Sequence, residues 1–148
     1  MWINHETNKT YAVVNMSTNR LKESMKGLAI GDAIGRQAFL ETSILHHGEL
    51  PEKPLEYTDD ARMALALCRV LLTHDEVQPD ELARQFAADF QEEPERGYGA
   101  VAYYILHQIA SGTPWQDAST SVYGGTGSKG NGAAMRVAPL GAFFADQP

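Results

Sequence analysis

Residues 59–73 constrain the fold of this chain more than any other segment. Met63, Leu67, Val70 and Leu71 make one helical stripe, and alanine and leucine fill most of the remaining positions. A helix that is apolar nearly all round is a buried helix, so other elements must surround it. Strand signals are almost absent from the rest of the chain. We therefore predict an all-α fold.

Apolar periodicity and helix-start signals predict the other elements. The first helix begins near Arg20, carries Leu21 and Met25 on its apolar face, and ends in a turn at residues 31–35. Residues 37–57 have few periodic apolar positions and predict a long loop, which in compact domains is often functional. Further helices are predicted from Pro79, over 99–111 and over 113–122. The last segment, 133–145, is apolar, has small residues and is broken at Pro139.

The predicted domain covers residues 21–148. Residues 1–20 are polar apart from residues 11–14, and we interpret them as a leader of uncertain structure that forms a short strand at most. They lack the apolar stretch of a signal peptide. No stretch approaches ~20 consecutive apolar residues, so we expect no membrane span.

Charge and cysteine content narrow the function. The net charge is −7, which argues against a nucleic-acid partner, because such proteins usually present a basic face. An acidic net charge suits a protein that binds a small ligand or that binds cations through its carboxylates. Cys68 is the single cysteine and stands in an apolar run. We expect it to lie in the core of a cytoplasmic protein.

Thr58, Asp59 and Asp60 stand where a loop becomes the buried helix. One interpretation is structural: Thr58 caps the helix and the two carboxylates favour its dipole. The other is a metal site, because two adjacent carboxylates drawn toward the interior repel unless a cation neutralises them. Mg²⁺ prefers such oxygen ligands. The residues alone leave both interpretations open.

The glycine-rich run over 124–132 also has two interpretations. It is either a flexible connector or a cradle in which backbone N–H groups meet phosphate or ribose oxygens. It is not a P-loop, because Lys129 follows Ser128 and precedes Gly130. A nucleoside triphosphatase is therefore not expected.

The remaining chemistry-bearing residues give weaker signals. His46 and His47 are adjacent histidines on the predicted loop, which are more typical of exposed side chains than of ligands. Arg136 lies in an apolar segment and must find a partner if it is buried. The aromatic stripes, at helical spacing, favour a role in the core; they are Phe86 with Phe90 and Tyr103 with Tyr104.

Four blocks in order resemble the ADP-ribosylglycohydrolase family, of the dinitrogenase reductase-activating glycohydrolase and ADP-ribosylhydrolase type. They are Gly-Leu-Ala-Ile-Gly-Asp-Ala-Ile-Gly at 27–35, Tyr-Thr-Asp-Asp-Ala-Arg-Met at 57–63, Arg-Gly-Tyr-Gly at 96–99, and the long run at 127–141. The likeness covers roughly residues 21–146.

The resemblance implies an all-helical hydrolase with two Mg²⁺ or Mn²⁺ ions in a cleft. Thr58, Asp59 and Asp60 match the family's first metal-binding motif, and Asp59 or Asp60 would take the proton of the attacking water. The resemblance also assigns substrate contacts to two glycine-bearing segments, through Gly97, Tyr98, Gly99, Gly127, Ser128, Gly130, Asn131 and Gly132. The substrate would be an ADP-ribosylated protein or small molecule.

The chain departs from the family pattern at three places. Lys129 stands where many relatives carry an aromatic residue. Phe39 fills the place of the family's usual glutamate, which gates the metal site. Glu41 comes two positions late and is assigned to the substrate-binding site in its place. The family's remaining ligands, an Asp-x-Asp-Thr type motif, belong to a C-terminal half that would lie beyond Pro148.

We therefore expect a truncated chain that is nearly inactive alone and exposes an apolar edge open to self-association. The alternative to an enzyme is a non-catalytic fragment that binds ADP-ribose or a nucleotide, or a structural remnant. Binding without turnover would distinguish it.

Overall fold

The computed structural model describes the backbone over residues 5–40 and 54–146, with side chains from residue 16 onward. The helices within these ranges are α1 (His5–Leu40), α2 (Asp59–His74), α3 (Pro79–Glu92), α4 (Ala100–Ala110), α5 (Trp115–Thr120) and α6 (Ala138–Phe143). Two short 3₁₀ turns, Tyr123–Gly125 and Ala134–Arg136, lie between α5 and α6. All regular elements of the described ranges are helical, which confirms the all-α prediction.

The first helix differs most from its prediction. It runs without interruption over 36 residues, so the expected strand or loose leader before residue 20, the turn at 31–35 and the start of the loop at residue 37 are wrong. Among the described residues, no atom of a neighbouring element lies within 4 Å of the Cβ position of Gly27, Gly31 or Gly35. These glycines therefore allow no close approach of another described element, and the helix tolerates them at a cost of about 1 kcal/mol each. Packing of the apolar face outweighs that cost.

The buried helix α2 forms the centre of the fold, as predicted. Its side chains share one core cluster with residues of α1 and α6; the buried members are Leu21, Met25, Ala61, Ala64, Leu67, Cys68, Leu71 and Phe143. Cys68 is a free, buried cysteine, which confirms its predicted place in the core. Burial raises the pKa of its thiol to about 11, because a thiolate is poorly solvated there.

An ion-pair network ties α2 to α3 beside that core. The buried carboxylate of Asp89 accepts from Arg69 and lies 3.3 Å from a terminal nitrogen of Arg62. Arg62 also pairs with Glu93 at 2.9 Å and with the exposed Glu92. Because a buried charge needs compensation, this network fixes the register of the two helices.

A second apolar cluster joins α2, α3 and α4 through Met63, Phe90, Tyr98 and Leu106. Phe90 packs edge-on against Tyr98, with ring centroids 5.3 Å apart. The predicted core role of Phe90 is confirmed, whereas Tyr103 and Tyr104 are each close to half exposed and lie at the edge of the core. None of the described helices is both long and apolar enough to cross a membrane.

Candidate active site

A groove of about 910 Å³ lies between the C-terminal half of α1 and the N-terminus of α2. Asp32, Arg36 and Phe39 of α1 line one wall. The other surfaces come from the start of α2, from the turn that precedes α4, and from the glycine-rich run; they include Thr58, Asp59, Asp60, Arg96, Gly97 and Asn131. The groove thus brings together residues that are distant in sequence.

The start of α2 is held by capping and by one backbone bond. Thr58 has extended backbone geometry, and its hydroxyl oxygen accepts a hydrogen bond from the Asp60 amide at 3.4 Å. This confirms Thr58 as the N-cap. The Asp59 amide donates to the carbonyl oxygen of Arg96 at 2.8 Å. The first turn of the helix is therefore fixed against the 96–99 turn.

The two adjacent carboxylates share a desolvated position. Asp59 is 8% exposed, and burial is the largest cause that raises its pKa, followed by repulsion from Asp60. The pKa of Asp60 is also raised, by burial and then by repulsion from Asp32. Both acids therefore hold a proton more readily than an exposed aspartate, and a cation in the groove would relieve the repulsion.

Asp32 is a site residue that the sequence analysis did not single out. Its carboxylate accepts from the Thr58 amide at 2.7 Å, from the Thr58 hydroxyl at 2.6 Å and from the Ala61 amide at 3.1 Å. The only sequence signal was its place inside the block at 27–35, where the flanking glycines drew attention to backbone conformation. Asp32 joins α1 to the start of α2.

Gly97, Tyr98 and Gly99 share one turn but point to different parts of the structure. Gly97 lines it with a left-handed φ of +94°, and a Cβ built there would lie 3.7 Å from Oδ1 of Asp59. Tyr98 instead points into the core beside Phe90, where its hydroxyl has no hydrogen-bond partner among the described residues. Burial raises the pKa of that hydroxyl to about 12. Gly99 is the N-cap residue of α4.

The glycine-rich run meets the groove at one residue. Asn131 lines it, whereas Gly127, Ser128, Gly130 and Gly132 are absent from its lining. The Ser128 hydroxyl accepts from the Gly130 amide at 3.0 Å, which closes a local turn. Gly127 has a φ of +87°, so the loop uses a conformation that other residues rarely adopt. The two interpretations of this run, connector and cradle, both stay open.

Arg136 is half-buried and has found aromatic and sulfur partners. Its guanidinium stacks over the ring of Phe86 at 4.7 Å and donates to Sδ of Met63 at 3.1 Å. Burial lowers its pKa, while the negative charge of Asp59 opposes that shift. The positive charge therefore stands near the acidic start of α2.

The donor chemistry at the groove fits a hard divalent cation. Thr58, Asp59 and Asp60 offer only oxygen ligands. Burial destabilises both acids as anions, with added repulsion from Asp60 on Asp59 and from Asp32 on Asp60. Among residues 16–40 and 54–146, no three histidine, cysteine, aspartate or glutamate side chains converge into a complete site. Mg²⁺ is commonly held by one or two carboxylates, with waters and substrate oxygens completing its shell. Glu41, His46 and His47 lie outside the described residues.

Comparison with known proteins supports the resemblance drawn from the motifs. Residues 15–148 match the family model for ADP-ribosylglycohydrolase. The chain is 32% identical over 132 residues to ADP-ribosylhydrolase ARH3 of Xenopus tropicalis, covering 80% of this chain and 38% of that protein. The human ARH3 is 31% identical over 144 residues, covering 84% and 39%. ADP-ribosyl-[dinitrogen reductase] glycohydrolase of Rhodospirillum rubrum is 30% identical over 125 residues, covering 76% and 40%.

Proposed function

Since this chain belongs to the ADP-ribosylglycohydrolase family, we propose that the protein hydrolyses the bond that joins ADP-ribose to a modified protein or small molecule. The chain spans 38–40% of the length of these three curated relatives, and the proposal concerns the whole protein. The observation that carries it is the pair Asp59 and Asp60, held by a fixed helix start at the wall of a groove wide enough for a nucleotide sugar.

The two aspartates have different surroundings, which suggests different roles. Asp59 is buried, and its amide is tied to the turn at Arg96. Asp60 lines the same groove and is the more accessible of the two. We assign Asp60 as the group that takes the proton when water attacks the ribose carbon C1″. The bond from C1″ to the modified side chain breaks, and the leaving group gains a proton.

Thr58, Asp59 and Asp60 would hold Mg²⁺ or Mn²⁺, two ions in the complete site. When bound, the ions supply positive charge that orients the ribose hydroxyls and makes the attacking water more acidic. Asn131 adds an amide donor and acceptor to the lining of the groove. The 127–132 loop is proposed to hold the ADP-ribose, and the turn that carries Gly97 would contact it as well.

The proposal places the activity in the cytoplasm, where the lone thiol of Cys68 stays reduced. Its substrates are ADP-ribosylated proteins or small molecules, since a net charge of −7 does not favour a nucleic-acid partner.

The test is to incubate the protein with arginine- or serine-linked ADP-ribosyl peptides and Mg²⁺ or Mn²⁺. The release of free ADP-ribose is measured by chromatography. Asp60→Asn should reduce the rate by about 10²–10⁴-fold, the usual contribution of a general base. Glu76→Gln, which changes an exposed carboxylate by the same chemistry, is the control. No release from either peptide by the wild-type protein would refute the hydrolase. Calorimetric binding of ADP-ribose without release would identify a binding protein instead.

A further inference from the structure

Asp32 makes more bonds to the start of α2 than a helix cap needs. It lies on α1, 26 residues before Thr58 and 29 before Ala61. Its Oδ2 accepts both backbone amides, and its Oδ1 accepts the Thr58 hydroxyl. The two amide bonds satisfy orphan donors at the helix N-terminus, which is a structural role. The hydroxyl bond satisfies no backbone donor directly, but it leaves the Thr58 oxygen free to accept from the Asp60 amide.

The hydroxyl bond decides which way the Thr58 oxygen presents its lone pairs. A threonine hydroxyl has one hydrogen and two acceptor positions. Although the Asp59 carboxylate also lies within hydrogen-bonding reach of the Thr58 side chain, the hydroxyl donates to Oδ1 of Asp32 at 2.6 Å. With its hydrogen there, the oxygen can only accept in every other direction. One acceptor position faces the Asp60 amide at 3.4 Å. The other is left for a group in the groove that Thr58 lines.

We propose that Asp32 is a positioning residue that holds the Thr58 hydroxyl with its hydrogen turned away from the groove, so that its oxygen is a preformed ligand for a divalent cation. The proposal rests on the proposed function, because it assumes a cation in the groove. It extends that function to a residue on a different helix, which acts only through Thr58.

Asp32→Asn removes the acceptor of the Thr58 hydroxyl with little change in the shape of the side chain. An amide has one oxygen and one donor group, so it cannot accept at both ends. Its NH₂ group would face the Thr58 hydroxyl and reverse the direction of that bond. Loss of a partner that orients a metal ligand commonly weakens metal binding 10–100-fold. We expect a loss of that size for Mn²⁺, measured by calorimetry on the full protein.

A charge effect must be separated from the positioning effect, since Asp32→Asn also removes a negative charge near the cation. Thr58→Val removes the hydroxyl without changing charge, and Thr58→Ser keeps it. If Asp32 acts through the hydroxyl, the double variant Asp32→Asn/Thr58→Val binds Mn²⁺ no more weakly than the worse single variant. Thr58→Ser should keep wild-type affinity. Glu23→Gln, an exposed carboxylate on the same helix, controls for charge alone.

Fully additive losses in the double variant, or wild-type affinity in Asp32→Asn, would overturn the proposal. If the wild-type protein binds no Mn²⁺, the cation of the proposed function is refuted and so is the ligand role of Thr58. Amide hydrogen exchange tests the bonds from Asp32 to the start of α2 without any metal. Asp32→Ala, which removes both acceptor oxygens, should speed exchange at Thr58 and Ala61, whereas Asp32→Asn, whose oxygen can still accept both amides, and Thr58→Val should leave Ala61 protected. Unchanged exchange at both amides in Asp32→Ala contradicts these bonds.

Discussion

Gly97→Ala tests whether the turn beside Asp59 depends on a left-handed backbone. Gly97 has a φ of +94°, where residues with a Cβ are strained by about 1–3 kcal/mol. A Cβ would lie 3.7 Å from Oδ1 of Asp59 and 3.8 Å from Cβ of Thr58. These are ordinary contacts, so strain is the whole cost in the folded state.

The net loss in the free energy of unfolding is smaller than the strain energy, because alanine also restricts the backbone of the unfolded chain. That restriction favours folding by about 0.4–1 kcal/mol. We therefore expect Gly97→Ala to lower the free energy of unfolding by about 1–2 kcal/mol, measured by urea denaturation and circular dichroism. If the turn relaxes instead of bearing the strain, the bond from the Asp59 amide to the Arg96 carbonyl breaks, and exchange of that amide accelerates.

Gly99→Ala is the matched control in the same turn. Gly99 has a φ of −62°, and apart from its chain neighbours no atom of the described residues lies within 4 Å of its Cβ position. Alanine is a poorer N-cap than glycine, but it restricts the unfolded chain, and these small effects oppose each other. The stability should change by less than about 0.5 kcal/mol. Equal losses for the two variants would refute the argument from backbone strain.

Three further predictions concern the framework around the site. Gly27→Ala should raise the free energy of unfolding by about 0.5–1 kcal/mol, because this helical glycine is exposed and open to a Cβ; a lower melting temperature would contradict this. The Cys68 thiol, whose pKa burial raises from 9.0 to about 11, should not react with a disulfide reagent at about pH 8 until denaturant is added. Since the folded pKa is the higher one, the stabilisation due to this thiol is complete below pH 9 and is lost as the pH rises toward 11; rapid labelling of the native protein would refute its burial. Asp89→Asn should lower the free energy of unfolding by about 1–3 kcal/mol, because Arg62 loses a buried partner, whereas Glu92→Gln, at an exposed position, should change it by at most about 1 kcal/mol. Similar urea midpoints for these last two variants would contradict the difference.

Local sequence signals predicted the start of each helix that is marked by a capping residue or by a proline in its first turn. The helix predicted from Asp59 begins there because Thr58 caps it, and the helix predicted from Pro79 begins there because proline suits a first helical turn. The turn predicted at residues 31–35 was wrong because that prediction relied on local residue types alone. Glycines usually mark a turn, but here the helix is kept by packing of an apolar face that no local pattern measures.

The sequence predicted those parts of the candidate site that lie within one motif, but not the contacts between residues that are far apart in the chain. The motif at 58–60 identified the helix start, and it is indeed at the groove. The bond between Asp32 and Thr58 joins residues 26 positions apart, and no spacing rule reveals such a pair. Likewise, neighbours in a motif can point in opposite directions, as Gly97 does toward the groove and Tyr98 does toward the core. Which side each residue takes is decided by tertiary packing.

The contact between α1 and α6 has a consequence for folding during synthesis. Arg20 donates to the carbonyl oxygen of Ala142 at 3.2 Å, a residue 122 positions later, and Leu21 shares its core cluster with Phe143. At ribosomal rates of about 5–20 residues per second, roughly 6–25 s pass between the emergence of these two ends. During that interval the apolar face of α1 lacks its contacts with α6. The nascent chain is therefore expected to offer chaperones a binding surface along its first helix until Phe143 has left the exit tunnel.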